Sequence, residues 1–245
     1  MRRGTGSTVH IERDDRLERF GLGTVQPAPV RLVIFDLDGT LIDSSADLAN
    51  SVNAARAYLG LAPMEHSLVY SYVGNGAPVL IRKALGPEYP DDVVAGALEY
   101  FMQYYRAHML DNTVLYPGVR DALDRFRGEG IAMAVLTNKP VRVSQAIVDG
   151  LGLHEHFRNV YGGNSFEQKK PHPVGIETLI AQNGASRERT LMVGDSSVDV
   201  QTARNAKVTA CGVTWGFQPE TFAEHPPDFL VDTAEELAAR VIGDG

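Results

Sequence analysis

The sequence predicts an α/β protein: a doubly wound, mostly parallel sheet with a block of helices inserted into it. Three observations lead there. From Arg31 onward, short apolar runs alternate with helix-patterned stretches, as in strands joined by crossover helices. The runs are apolar almost throughout rather than at every second residue, as expected of strands covered on both faces. One long interval, Ser44 to Thr113, interrupts the alternation with helical patterns alone. At 245 residues the chain can bury one large core or be divided into two unequal domains.

Residues 1–29 carry Gly, Thr and scattered charges and close with Pro27 and Pro29, so they read as an extension or linker. A short helical pattern runs from Asp14 to Phe20 within them. Leu32 to Phe35 is the first strand, and residues 30–43 open the α/β core. Over 44–113 the pattern becomes helical: Leu48, Val52, Ala55 and Leu59 recur at helical spacing, and Asp91 to Met109 forms a longer helix. So long an insertion after a first strand predicts a separate helical cap, the alternative being helices packed directly on the sheet. The core resumes over 114–245. Strands are expected at Ile131 to Leu136, Thr190 to Val193, Ala210 to Val213 and Phe229 to Val231. Helices are expected at Val119 to Arg127, Val141 to Leu151, Val174 to Gln182 and Val198 to Ala206. The third helix starts after Pro173 and stops at Asn183 and Gly184, the usual start and stop chemistry.

Composition narrows the function classes. A net charge of −8 disfavours nucleic acid and anionic membrane surfaces as partners, since both select basic faces. An anionic substrate would need local help from a metal, helix N-termini or a few placed cations. No apolar run reaches about 18 residues, and the N-terminus is charged without a signal-peptide core, which disfavours membrane spanning and secretion. The single cysteine, Cys211, has no internal disulfide partner, and a reducing cytoplasm suits it. Cys211 and Trp215 read as core residues. Oligomeric state leaves no mark on the sequence.

The chemistry begins at Asp36-Leu37-Asp38-Gly39-Thr40, directly after an apolar strand. Two carboxylates at i and i+2 of an extended chain point the same way, and such a pair calls for a cation or a proton. In an open α/β sheet, ligands bind at the carboxyl ends of the strands, where these residues lie. An ordinary Asp-Gly turn is the alternative for this motif alone. Three further pieces join it: Thr137-Asn138 after a strand, Lys170-Pro171 in a later loop, and Gly194-Asp195-Ser196 after another strand, with Asp199 four residues beyond Asp195. A doubly wound sheet would bring all four to one edge. Lys169 competes with Lys170 for the same role. His172 reads as a loop residue, and Asp199 could also simply favour the first turn of its helix.

On these motifs the chain resembles the haloacid-dehalogenase-like superfamily from Arg31 to Asp232. The resemblance implies a phosphatase in which Asp36 is the nucleophile and Asp38 the general acid and base. Thr137, Asn138 and Lys170 would hold the phosphoryl group. Asp36, the backbone carbonyl of Asp38 and Asp195 would bind Mg²⁺, and Asp199 would stand behind these ligands. A carboxylate nucleophile divides one difficult displacement into two easier ones, and Mg²⁺ takes hard oxygen ligands while reducing repulsion between anions.

Within the superfamily the chain is most similar to phosphoglycolate phosphatases. The similarity lies in Asp38 to Ser44, Val73-Gly74-Asn75-Gly76-Ala77, Lys170 to Pro173, and Gly212 to Phe217. It implies a small phosphorylated metabolite as substrate, with a tight loop at Gly74, Asn75 and Gly76, and Arg82 in the helix beyond, as specificity elements. An ordinary turn and a solvated helix face are the alternatives there. Val174, Gly175 and Lys207 depart from the group's usual residues, Lys207 standing where glycine is common. Relatives acting on pyrophosphate, sugar phosphates or nucleotides share the frame, as do phosphohexomutases. A non-enzymatic binding protein would be expected to lose an aspartate, and a dehalogenase lacks the second aspartate of the first motif.

Overall fold

The computed structural model describes residues 29–243. The expected extension over 1–29, with its short helix at Asp14 to Phe20, therefore lies almost wholly outside the described residues. Six strands form one parallel sheet in the order β5-β4-β1-β6-β7-β8. They are β1 (Leu32–Phe35), β4 (Ala132–Leu136), β5 (Asn159–Tyr161), β6 (Thr190–Gly194), β7 (Thr209–Val213) and β8 (Phe229–Val231). Two short strands, β2 (Ile42–Asp43) and β3 (Val114–Leu115), pair antiparallel as a separate ribbon.

The uninterrupted apolar character of β1 has a direct packing cause. Val33 and Phe35 enter one core, and Leu32 and Ile34 enter another on the opposite face. α5 (Val119–Gly128), α6 (Val141–Gly150) and α9 (Ala234–Ile242) cover the first face, contributing Phe126, Ile147 and Leu237. α7 (Val174–Asn183) and α8 (Ser197–Ala206) cover the second with Ile176, Leu179, Val200 and Ala203. Both faces being dry, each residue of β1 is buried whichever way it points.

Between β2 and β3 the chain forms four helices: α1 (Ser45–Tyr58), α2 (His66–Tyr70), α3 (Ala77–Leu85) and α4 (Asp91–His108). α1 packs along α4, and the two ends of this insertion meet at the β2–β3 ribbon. Asp47 ties the ends together. Its buried carboxylate accepts from the backbone N–H groups of Asn112 and Thr113, from Asn112 Nδ2 and from the Thr113 hydroxyl, all at 2.8–3.1 Å. Burial works against that charge, but these donors hold its pKa below the ordinary carboxylate value.

Besides the short β2 and β3, three further elements lie outside the expectations from sequence. β5 has only three residues, all half-buried, and presents no apolar run. α2 is a five-residue turn of helix, too short for periodicity to register. α9 begins with an N-cap that the pattern conceals, the Thr233 hydroxyl accepting from the Glu236 N–H. Lys207 adopts φ 59° at the end of α8, a left-handed conformation that explains why glycine suits that position.

Candidate active site

Phe35 lies in register with Val135 of β4 and Val193 of β6. The residues that follow these three neighbouring strands, Asp36, Thr137 and Asp195, therefore emerge at one edge. β1 sits where the order of connection reverses, the crevice in which open α/β sheets bind ligands. After Asp36 the chain turns tightly, the Leu37 carbonyl accepting from the N–H groups of Thr40, Leu41 and Ile42. Gly39 sits at φ 80°, and a Cβ there would lie 2.2 Å from Asp195 Oδ2. The glycine is needed because the Asp195 carboxylate packs against the turn.

Asp36, Asp195 and Asp199 are all buried, with carboxylate oxygens within 4.8 Å of one another. One ammonium stands among them. Lys170 Nζ lies 2.6 Å from Asp199 Oδ1 and 2.9 Å from Asp36 Oδ1. The second contact is a charge contact off the hydrogen-bonding direction, so Asp36 Oδ1 is buried without a hydrogen-bond donor. Burial raises the Asp36 pKa from 3.8 to about 6, against the pull of Lys170 and with a further push from Asp199. Burial, then Asp199 and Asp36, push Asp195 well above the carboxylate range, while the Phe217 N–H donates to its Oδ2 at 2.7 Å. Burial opposes the charge of Lys170, but Asp199 and Asp36 outweigh it and raise its pKa. Three carboxylates share one cation.

Asp199 has little freedom to do anything else. Oδ1 is taken by Lys170, and Oδ2 accepts from the Ser196 N–H and hydroxyl in a reciprocal helix cap. It fixes Lys170, as a residue standing behind the site would. Lys169 points elsewhere, donating to the Asn75 carbonyl at 2.6 Å. The competition between the two lysines thus ends with Lys170 in the cluster. His172 lies on the loop, its Nδ1 accepting from the Val174 N–H at 3.3 Å.

Asp38 faces a different set of groups. Ser44 Oγ donates to its Oδ1 at 2.6 Å, and Lys139 Nζ lies 2.8 and 3.0 Å from its two oxygens. The same ammonium donates to the Tyr105 hydroxyl of α4 at 2.6 Å. Burial opposes the charge on Lys139, but Asp38 and Tyr105 hold its pKa above the ordinary lysine value. Burial pushes the Tyr105 hydroxyl up to about 12. Sequence reading missed Ser44, Lys139 and Tyr105 as site residues. Lys139 directly follows Thr137-Asn138, which was the available signal. Nothing in the sequence brings Tyr105 to it.

Asp36, Asp38, Thr137, Asn138 and Lys139 form the floor of a cleft of about 540 Å³, part of it open to solvent, roofed by the helical insertion. Thr137 Oγ1 accepts from the Lys139 N–H at 3.2 Å. Asn138 spends its amide on structure, Nδ2 donating to the Gly74 and Lys170 carbonyls. Gly74 and Gly76 line the cleft; Asn75 and Arg82 do not. The Arg82 guanidinium, half-buried, is engaged with the Tyr89 carbonyl and the Asp91 carboxylate, outside the cleft lining. Trp215, read as core, is half-buried and donates from Nε1 to the Thr40 carbonyl at 3.1 Å.

Residues 33–213, covering the insertion and all of the sheet but β8 and the first residue of β1, match the model of the haloacid dehalogenase-like hydrolases. The chain belongs to that family. It is 42% identical over 214 residues to a phosphoglycolate phosphatase of Pseudomonas fluorescens (strain Pf0-1), covering 84% of this chain and 78% of that one. It is 36% identical over 217 residues to a phosphoglycolate phosphatase of Vibrio vulnificus (strain CMCP6), covering 85% and 94%. Among solved structures, a predicted phosphoglycolate phosphatase from Haemophilus somnus 129pt superposes with a TM-score of 0.80 at 32% identity, covering 85% and 96%. The family read from Asp36 to Thr40, Lys170 and Asp195, and the parallel α/β architecture, are both borne out.

Proposed function

We propose that this phosphatase hydrolyses 2-phosphoglycolate with Mg²⁺, through a phosphorylated Asp36. The observation that carries the reading is the buried cluster at the end of β1: three carboxylates against the single ammonium of Lys170, beside the separately paired Asp38. Relatives of that printed activity at 36–42% identity support the substrate.

The residues present fit a divalent cation. Asp36 Oδ1 is buried without a hydrogen-bond donor, and the cluster carries more negative charge than Lys170 offsets. Asp36, Asp195 and the main-chain carbonyl of Asp38 would hold Mg²⁺, which when bound neutralises that excess and screens the phosphate from the carboxylates. The remaining chemistry belongs to the side chains. A carboxylate oxygen of Asp36 attacks phosphorus, forming the acyl phosphate as the ester P–O bond breaks. Asp38 gives its proton to the departing oxygen, then takes one from the water that attacks the phosphoaspartate and regenerates Asp36. Lys170, held by Asp199, and the Thr137 hydroxyl face the transferring phosphoryl oxygens. The amides near Asn138 add neutral donors.

The helical insertion would act as a cap over 44–113, excluding water from the phosphoenzyme. Among the described residues no helix is long and apolar enough to cross a membrane. The lone Cys211 is buried and free, which suits the reducing cytoplasm proposed for this enzyme of small metabolites. The test is phosphate release from 2-phosphoglycolate and a panel of pyrophosphate, sugar phosphates and nucleotides, with Mg²⁺, with chelator, and with Ca²⁺ in its place. Activity should vanish with chelator, return with Mg²⁺ and fail with Ca²⁺, whose longer bonds and higher coordination number misplace the Asp36 oxygen. Full turnover after exhaustive chelation overturns the metal assignment. Preference for another ester overturns the substrate.

A further inference from the structure

We propose that Lys139, with Tyr105 beside it, receives an anionic group on the leaving side of the substrate, selecting phosphate esters of short hydroxy acids over neutral esters of the same size. The inference rests on the roles assigned above to Asp36 and Asp38.

Beyond its floor, the cleft is apolar: Leu48, Leu80, Phe101, Met102 and Val143 supply its walls. A carboxylate entering there must find a cation, because burying it unpaired is strongly unfavourable. Lys139 is the one basic residue lining the cleft among the described residues. Lys170 is committed to Asp36 and Asp199, Lys169 to the Asn75 carbonyl, and Arg82 to Tyr89 and Asp91.

Geometry places Lys139 on the leaving-group side. Asp38 must come within hydrogen-bonding distance of the departing oxygen to give it a proton. Lys139 Nζ lies 2.8 Å from that same carboxylate. Phosphoglycolate carries its carboxylate on the carbon that bears the departing oxygen, so the group that departs beside Asp38 presents its charge to Lys139. An ammonium has three N–H donors, and here they face both Asp38 oxygens and the Tyr105 hydroxyl. When one Asp38 oxygen turns to the departing group, its N–H on Lys139 is released for the carboxylate. The Tyr105 hydroxyl accepts from Lys139, and its own proton has no acceptor among the described contacts. The two side chains can therefore each offer a donor to one carboxylate. The rival explanation is that Lys139 only orients Asp38, which would affect every substrate alike.

The experiment compares 2-phosphoglycolate with ethyl phosphate, which matches it closely in size and lacks the charge. Wild-type enzyme should prefer phosphoglycolate in kcat/KM by at least about tenfold, the scale of one charge-assisted hydrogen bond. K139M, which keeps bulk and removes charge, should erase most of that preference, chiefly through KM for phosphoglycolate, and should abolish inhibition by the product glycolate. Y105F should shift the ratio the same way by a smaller factor, and it decides the matter by that ratio should K139M fail to fold. An equal fall for both substrates, with the ratio unchanged, overturns the inference and leaves Lys139 as a positioning residue for Asp38. So does a wild-type enzyme without preference. If wild-type enzyme with Mg²⁺ releases phosphate from neither ester, the assignment of the site itself fails, and that is seen before any variant is made.

Discussion

Replacing Asp36 by Asn should abolish turnover and, in the metal-free protein, raise stability. The amide keeps the shape of the carboxyl group but cannot form an acyl phosphate. It also removes one of three buried carboxyl groups that share the one ammonium of Lys170. The magnitude follows from the shift. Burial raises the Asp36 pKa from 3.8 to about 6, and one pKa unit corresponds to about 1.4 kcal/mol, so keeping Asp36 ionised above pH 6 costs the folded state up to about 3 kcal/mol. The sign is that of an acid whose folded pKa is raised: wild-type stability falls as pH rises from about 4 through 6, because the folded state is the one that holds the proton. Urea unfolding in the presence of chelator at pH 7.5 and pH 4 checks this. Asp36→Asn should be the more stable protein at pH 7.5, and the two should converge at pH 4. With Mg²⁺ in excess, the wild type should recover most of the difference, since a ligand of the native state stabilises it by mass action. A variant less stable than wild type by more than about 1 kcal/mol in chelator at pH 7.5 would refute the charge-excess argument. Turnover above about a tenth of wild type, a barrier change of only about 1.4 kcal/mol, would refute the nucleophile.

Asp47→Ala leaves the N–H groups of Asn112 and Thr113 unpaired at the base of the insertion and should cost roughly 2–5 kcal/mol by chemical unfolding. Because the Asp47 pKa is lowered, its contribution is present above about pH 4 and is lost as pH falls through the folded value, so wild type and variant should converge in acid. Lys207→Gly should raise stability by about 1 kcal/mol, measured as a shift in urea midpoint, because it relieves a non-glycine residue at φ 59°. Gly76→Val should lower kcat/KM for phosphoglycolate and for an aryl phosphate by similar factors. The position lies at φ 85° with Asn138 O and Lys169 Nζ 3.2 and 3.4 Å from the site of a Cβ, so the change unseats the loop rather than reshaping a substrate contact. A loss confined to phosphoglycolate would show that the loop reads the substrate.

What the sequence made legible was whatever its chemistry fixes locally. β1, β4, β6 and β7 are apolar because both their faces are covered, and that requirement is written into each segment; β8 is apolar too, although Leu230 at the sheet edge is exposed. Asp36, Thr137 and Asp195 directly follow three of those strands, so strand assignment alone brought them to one edge. Lys170 could be told from Lys169 only by its neighbours: one ammonium reaches Asp36 and Asp199, the other a carbonyl of the insertion. Arg82 illustrates a related point. Its nearness in sequence to Gly76 says nothing about which face of α3 it occupies, and the carbonyl of Tyr89 and the carboxylate of Asp91 claim it. Lys139 and Tyr105 were hidden because their pairing joins segments 34 residues apart through tertiary packing.

The contacts missed in this way share a physical logic. Loops that carry a candidate for the chemistry, or hold one in place, also carry neighbours that grip the insertion. Beside Thr137, Asn138 donates to Gly74 O and Lys139 to Tyr105. Beside Lys170, Lys169 donates to Asn75 O. Phe217, whose N–H binds Asp195, stacks on Tyr70, and Gln218 next to it donates to the carbonyls of Ser71 and Val73. Three separate loops of the sheet thus hold the segment from Tyr70 to Gly76, almost entirely through main-chain carbonyls that no side-chain substitution in the insertion would remove. The cluster of carboxylates gains from this arrangement. Every charge interaction among Asp36, Asp195, Lys170 and a phosphate strengthens as water leaves, and the groups that exclude the water are placed by the same loops that place the charges. Movement of the insertion away from the sheet would break the Lys139–Tyr105 and Asn138–Gly74 contacts together, admitting water to Asp36 as it frees the leaving group.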